Sequence, residues 1–169
     1  MSFSVYEASI PPMIHFFEAL SKILDKAVHQ AKERDLPLSE LLEARLASDM
    51  HPFPRQIQIA SDIAKLGAAR LAAIDPPSFP DTETTFPELQ ERIRKTIDFI
   101  KSVPQDKFEG AEDRSVTLKF PSGEMTFTGR VFLNNFVLPN FYFHVTTAYD
   151  LLRHKGITIG KMDYMGGGQ

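Results

Sequence analysis

The segment of sequence that decides the fold is residues 138–164, LPNFYFHVTTAYDLLRHKGITIGKMDY. Residues three and four apart lie on one face of a helix, and steps of this size give an apolar stripe that includes one histidine. The stripe consists of Val137, Phe141, His144, Ala148 and Leu151. Pro139 suits the first turn of a helix, and Gly156 follows a basic run that suits a helix end. The sequence therefore predicts a helix from Leu138 to Lys155.

His144 is the polar member of this apolar stripe and is predicted to face the core. An unpaired buried polar group costs about 1 to 3 kcal/mol, so the imidazole needs a hydrogen-bond partner, a metal or a ligand. Two interpretations stay open. His144 is either a core histidine hydrogen-bonded to Asp62, Asn140 or Tyr149, or a ligand- or substrate-binding group in a pocket between the second long helix and the last.

Composition limits the number of domains and the class of partner. A chain of 169 residues, 43% of them hydrophobic, is long enough for one core and too short to expect two, so residues 1–169 are predicted to form a single domain. The chain has 19 Lys and Arg against 22 Asp and Glu, a net charge of −3, without a long run of like charge. Nucleic acid and anionic membrane surfaces are therefore not expected as partners.

The residue types present also limit the chemistry and the compartment. The chain contains no cysteine, which excludes disulfides and thiolate nucleophiles and leaves His, Asp and Glu as metal ligands. The first residues lack the pattern of a signal peptide, and no segment approaches the ~20 apolar residues that span a bilayer. A cytoplasmic location is expected.

The first long helix is predicted from about Ser4 to Lys32, where apolar residues keep a helical period. Pro11 and Pro12 lie inside this range and mark either the start of the regular helix or a kink. His15 and His29 keep company with charged residues, so both are expected at the surface.

A second long helix is predicted to begin near Arg55, after a short connecting helix that starts near Leu38. Its inward stripe contains Ile59, Ala60, Ile63, Leu66, Gly67, Arg70 and Leu71. Asp62 lies at the edge of this stripe, Gln58 lies one turn earlier, and Lys65 is expected on a solvated face.

A third helix and a hairpin complete the elements. Thr85 and Glu88 have the spacing of a capping box and follow a proline-rich loop, so a helix is predicted from there to about Val103. Alternation of apolar and polar residues around a Pro-Ser-Gly turn then predicts a β-hairpin from Val116 to Val131. The predicted fold is an all-α, up-and-down four-helix bundle with a short β-hairpin before the last helix.

Several kinds of active site find no support in the sequence. It contains no Gly-x-Ser-x-Gly motif and no glycine-rich phosphate loop. His144 and His154 are ten residues apart, which is about 15 Å along a helix, so they cannot share a metal. The position four residues before His144, where a second ligand would lie, is occupied by Asn140, a weak metal ligand.

The chain resembles an uncharacterised bacterial family within the DinB and YfiT-like superfamily of four-helix bundles. The residues that carry the resemblance are Asp49-Met50 with Pro52, Gln56, Asp62 and Ala64-Lys65 in the second long helix, Asn140–Asp150, Leu152-Arg153-His154, Gly156 and Ile159-Gly160-Lys161. The resemblance covers essentially the whole chain. It implies a helical bundle and a homodimer.

The resemblance also implies a divalent metal, nickel or zinc, held by three histidines: one on the second helix and two, four residues apart, on the last. Some relatives are thiol-dependent transferases or isomerases. His144 matches the last ligand, whereas the preceding one falls on Asn140. The second helix contains no histidine; its nearest acceptor groups are Asp62 and Gln58, and His51 lies just ahead of it.

The leading functional hypothesis is a small-molecule-binding bundle, or a vestigial enzyme, with a polar pocket around His144. The residues expected to line that pocket are His144, Asn140, Asp62, Gln58 and Tyr149, and His144 is the one expected metal ligand. Two alternatives stay open. One is a divalent-metal-dependent hydrolase or thiol transferase, and the other is a structural or interaction protein.

Overall fold

The computed structural model describes residues 4–167, and the remaining residues of the predicted 1–169 domain lie outside the described part. Helix α1 spans Val5–Glu33, as the periodicity predicts. Ser4 caps it by accepting a hydrogen bond from the backbone N–H of Glu7, whose carboxylate accepts one in return from the Ser4 N–H. The helix starts before Pro11 and Pro12 and continues through them, because the buried stripe on both sides holds it against the core.

Three further long helices complete the bundle, and the described residues also include three short α-helices. Helix α2 spans Leu38–Leu42 and leads to α3, Phe53–Ala72, where Pro54 occupies the first turn. Helix α4 spans Phe86–Ser102, and the predicted capping box of Thr85 and Glu88 forms at its start.

The four long helices form a ring in the order α1, α4, α3 and α6, where α6 spans Leu138–His154. Each of these helices packs against two neighbours in the ring, and one continuous apolar cluster fills the centre. Phe17 of α1 meets Phe141 of α6 edge to face, with ring centroids 5.0 Å apart. The predicted all-α bundle is confirmed.

The predicted hairpin consists of β1, Ser115–Phe120, and β2, Gly123–Thr128, which pair antiparallel. Val131, predicted to end the second strand, instead belongs to a short helix, α5, Gly129–Phe132. The physical reason lies in the packing of Gly129, where a Cβ atom would overlap the backbone carbonyl of Ala111. The chain turns at this tight contact and leaves the sheet.

A π-helical turn, Leu133–Val137, joins α5 to α6 and was not predicted. Helix α6 itself begins at Leu138, as the sequence indicates, and ends just before Gly156, which has a φ of 83°. A last short helix, α7, Lys161–Tyr164, also went unpredicted. In the described part of the chain, no helix is both long and apolar enough to cross a membrane.

Candidate functional site

His144 lies in the seam between α3 and α6, where Gln56 of α3 holds its ring. The Nδ1 atom of His144 is 2.7 Å from Oε1 of Gln56, and Nε2 of Gln56 donates a 2.9 Å hydrogen bond to the backbone carbonyl of His51. Because that carbonyl can only accept, the orientation of the Gln56 amide is fixed, and its oxygen must face His144. The Nδ1 atom therefore carries the proton and donates it.

The imidazole is neutral at physiological pH. The pKa of His144 is lowered from 6.5 to about 4, mainly by burial of the ring, with smaller contributions from the neighbouring His51 and Arg55. A neutral ring with a proton on Nδ1 has an unprotonated Nε2. The second nitrogen of His144 is therefore a hydrogen-bond acceptor.

This Nε2 atom is open to a ligand. It has no hydrogen-bond partner among the described residues. No buried polar side-chain atom in that part of the chain lacks a partner, so Nε2 lies where solvent reaches it. The ring of Phe143 stands edge to face with the His144 ring at 5.1 Å and is 56% exposed. The seam thus presents one polar acceptor beside one apolar surface.

The structure gives His144 a different hydrogen-bond partner from the three that were predicted. Two of those three, Asn140 and Tyr149, make other contacts. Asn140 donates a 2.6 Å hydrogen bond to the carbonyl of Phe136 in the π-helical turn, which fixes the junction with α6. The ring of Tyr149 meets that of Tyr164 in α7, with centroids 5.9 Å apart. Gln56 occupies the partner role that the sequence assigned to Asp62, Asn140 or Tyr149.

Asp62 and Gln58 belong to a second polar cluster, centred on Arg92 of α4. Arg92 is 1% exposed, and its guanidinium donates to Asp62 at 3.0 Å, Glu83 at 3.1 Å and Ser61 at 2.7 Å. Gln58 donates to the other carboxylate oxygen of Glu83 at 3.0 Å. The cluster ties the loop between α3 and α4 to both helices, so its role in the fold is structural.

Lys65 is also part of this cluster, which overturns its predicted place on a solvated face. It is 4% exposed, pairs with Asp62 at 2.9 Å, and lies over the ring of Phe79 at 4.5 Å.

Sequence reasoning missed Arg92 although a signal was present. Arg92 lies in the buried stripe of α4, which consists of Leu89, Arg92, Ile93, Thr96 and Ile100. Gln56 likewise lies in a buried stripe of α3, with Ala60 and Ala64.

The remaining histidines do not join His144 in a metal site. His15 is exposed and bonds the carbonyl of Met165 at 2.9 Å, whereas the exposed His51 contributes its backbone carbonyl to Gln56. Among residues 4–167, no group of three or more His, Asp or Glu side chains is placed to hold a metal ion.

The donor atoms at the implied metal positions do not fit nickel or zinc. The amide nitrogen of Asn140 is a donor and is engaged with Phe136, and both ends of the Gln56 amide are already bonded. Only the Nε2 atom of His144 remains as a nitrogen ligand, and tight sites for these metals use three or four protein ligands.

Three well-formed cavities lie elsewhere, and His144 lines none of them. One of 850 Å³ lies between the start of α1 and residues 105–112, with the carboxylates of Asp106, Glu109 and Glu112 in its wall. One of 540 Å³ opens beside Arg92. The smallest, 190 Å³, lies between α3 and the hairpin. The His144 seam is therefore separate from these three cavities.

Comparison with known proteins identifies similar chains of the same fold. A domain of unknown function, DUF1993, matches residues 5–165. The crystal structure of a DinB family member protein from Shewanella denitrificans is 35% identical and superposes with a TM-score of 0.90, covering 96% of this chain and 92% of that one. No curated protein matches the sequence.

Proposed function

Since the chain belongs to the DUF1993 family and has the DinB-type bundle, we propose that it is a small-molecule-binding protein, derived from a metal-binding bundle, whose recognition group is the neutral imidazole of His144. The proposal depends on one observation. Gln56 bridges the His51 carbonyl and Nδ1 of His144, which leaves Nε2 as an oriented and accessible acceptor. A side chain oriented in this way loses little freedom when a ligand binds.

The contacts of the seam favour one chemical class of ligand. A group that donates an N–H or O–H would bond Nε2, and an apolar part would cover the exposed ring of Phe143. A cationic group is disfavoured, because the positive charge of Arg55 lies close enough to lower the pKa of His144 and would repel it. The ligand is therefore a neutral or anionic molecule with one hydrogen-bond donor beside an apolar group.

A metal-dependent hydrolase or thiol transferase is the second candidate. One feature favours it: His144 donates a hydrogen bond from Nδ1 to an oxygen and leaves Nε2 unprotonated. Histidines that bind metals commonly have this arrangement, in which one ring nitrogen binds the metal and the other donates to an oxygen that orients the ring. This is the weaker proposal, because no group of three or more His, Asp or Glu side chains among residues 4–167 is placed to hold a metal ion.

A homodimer and a cytoplasmic location form part of the same proposal. The dimer follows from similarity to the DinB superfamily, and the cysteine-free composition is compatible with a reducing compartment. Sedimentation equilibrium would test the first point: a mass of one chain at micromolar concentration would contradict the dimer.

Two measurements test the binding proposal. The first is a side-chain ¹H–¹⁵N correlation spectrum of the histidines between pH 4 and 8, in which His144 should keep the neutral pattern with a proton on Nδ1 down to about pH 5. The second is a fragment screen with neutral amides and alcohols, followed by backbone chemical shifts. Fragments that shift His144 and Phe143 should lose affinity in His144→Ala and keep it in His29→Ala.

Each of the two measurements has its own outcome that would contradict the binding proposal. A proton on Nε2 would show that Gln56 does not orient the ring as described, and the acceptor would be lost. Fragments that bind the His144→Ala variant as well as the wild type would place recognition elsewhere in the chain.

A further inference from the structure

The 190 Å³ cavity lies between α3, strand β1 and the π-helical turn, on the side of α3 that carries Ile63, Leu66 and Arg70. We propose that it is a second binding site, separate from the His144 seam, which takes a small amphiphilic monocarboxylate: the apolar tail enters the cavity and the carboxylate pairs with Arg70.

The wall of the cavity is mainly apolar. It is formed by Ile63 and Leu66 of α3, Leu118 and Phe120 of β1, and Phe132 and Phe136 on the other side. The last two rings are stacked, with centroids 5.6 Å apart and an angle of 16° between their planes. Aromatic rings packed in this way supply a preformed surface for an apolar group.

One end of the cavity is fixed by a close helix contact. Gly67 lines it, and a Cβ atom at this position would lie 2.8 Å from Cγ1 of Val137. The π-helical turn therefore packs directly on α3, and the cavity is a gap between elements whose approach is set by the backbone.

Arg70 supplies the charge. It follows Ile63 and Leu66 by seven and four residues on the same face of α3, and it lines the cavity. Its guanidinium makes no hydrogen bond or ion pair with any described residue, unlike that of Arg92. Although the residue is exposed, burial lowers the pKa of Arg70, so its charge is partly desolvated without a compensating anion.

Charge and size select the ligand class. Lys119 of β1 also borders the cavity, but its side chain is exposed and pairs with Glu124 at 3.3 Å, so Arg70 is the cation that a ligand would meet. A planar carboxylate matches the fork of a guanidinium. A volume of 190 Å³ accommodates about six water-sized groups, which corresponds to a tail of about five or six carbons.

The test is an NMR titration of the whole protein with three probes that share one tail: hexanoate, 1-hexanol and hexylamine. Hexanoate should bind saturably, shift the backbone amides of residues 63–70 and 132–137, and bind more tightly than 1-hexanol; hexylamine should bind most weakly. Arg70→Gln should weaken hexanoate about tenfold, the size of one charge-assisted contact, and leave 1-hexanol unchanged. Arg94→Gln, which changes an exposed arginine on α4, is the matched control.

Salt provides a check that needs no variant. Raising the concentration of NaCl to 1 M should weaken hexanoate and leave 1-hexanol unweakened, because only the first depends on a charge. Equal affinity for hexanoate and 1-hexanol in the wild-type protein would overturn the proposal. So would unchanged hexanoate binding in Arg70→Gln, shifts confined to other parts of the chain, or no binding of hexanoate at all.

Discussion

Replacement of Arg92 by methionine tests the buried polar cluster, because it removes the charge and keeps a long side chain in the core. Breaking a buried ion pair by deleting one partner costs about 3 to 5 kcal/mol when the other charge is left without compensation. Arg92 contacts three carboxylates, Asp62, Asp81 and Glu83. The expected loss depends on how well these groups are paired without it.

Each carboxylate keeps a second partner in the variant. Asp62 retains Lys65, Asp81 retains Arg55, and Glu83 retains the amide of Gln58. The cost therefore falls at the low end of the range for a broken buried pair, at about 3 kcal/mol. For a chain of this size, that loss corresponds to a decrease in melting temperature of about 6 to 12 °C.

The assay is thermal unfolding followed by circular dichroism at 222 nm, with urea unfolding for the free energy. Arg94→Met is the control, because Arg94 is an exposed arginine on the same helix whose ion pairs are screened by solvent and contribute little to stability. Equal melting temperatures for the two variants would refute the structural role of the cluster. A more stable Arg92→Met protein would show that desolvation of the charge outweighs its pairing.

Three further outcomes are expected. His144→Ala should lose about 1 to 3 kcal/mol of unfolding free energy in urea against near zero for His29→Ala; equal midpoints would contradict the Gln56 contact. The pKa of His144 is lowered from 6.5 to about 4 in the folded protein, so the unfolded chain binds more protons between these two pH values. The free energy of unfolding should therefore fall as the pH decreases from about 6.5 to 4, and it should fall less in His144→Ala. The same pH dependence in both proteins would contradict this prediction. The wild type should hold less than one zinc per chain by elemental analysis, and Asn140→His should raise zinc affinity by calorimetry; one tightly bound zinc in the wild type, lost in His144→Ala, would favour the metalloenzyme.

The parts of the fold that were predicted correctly depend on residues that are close together in the sequence. The capping box of Thr85 and Glu88, the terminating Gly156 and the apolar period of α6 each involve residues within a few positions of one another. Val131 was placed wrongly because apolar alternation continues past the end of β2. The turn there is set by the close contact of Gly129 with the backbone of Ala111. These two residues are far apart in sequence, so no local pattern indicates their contact.

The site was predicted less well, because its contacts join separate helices. Periodicity placed His144 on the inward side of α6 but could not identify its partner, which lies 88 residues away on α3. Gln56 and Gln58 differ by only two positions, yet one faces His144 and the other faces Glu83. A buried polar residue in an inward stripe indicates a partner without naming it.

The choice between ligand binding and metal binding in this bundle depends on the residues around one imidazole. Gln56 fixes the ring as a supporting group of a metal ligand would, but it adds no nitrogen ligand of its own. Asn140, one helical turn before His144, directs its amide to the carbonyl of Phe136 and so stabilises the junction with the π-helical turn. In the proposed binding function, the Gln56 contact orients Nε2 of His144, which has no hydrogen-bond partner among the described residues. We propose on this basis that the seam recognises a hydrogen-bond donor, because one imidazole nitrogen can accept a hydrogen bond whereas tight zinc sites use three or four protein ligands.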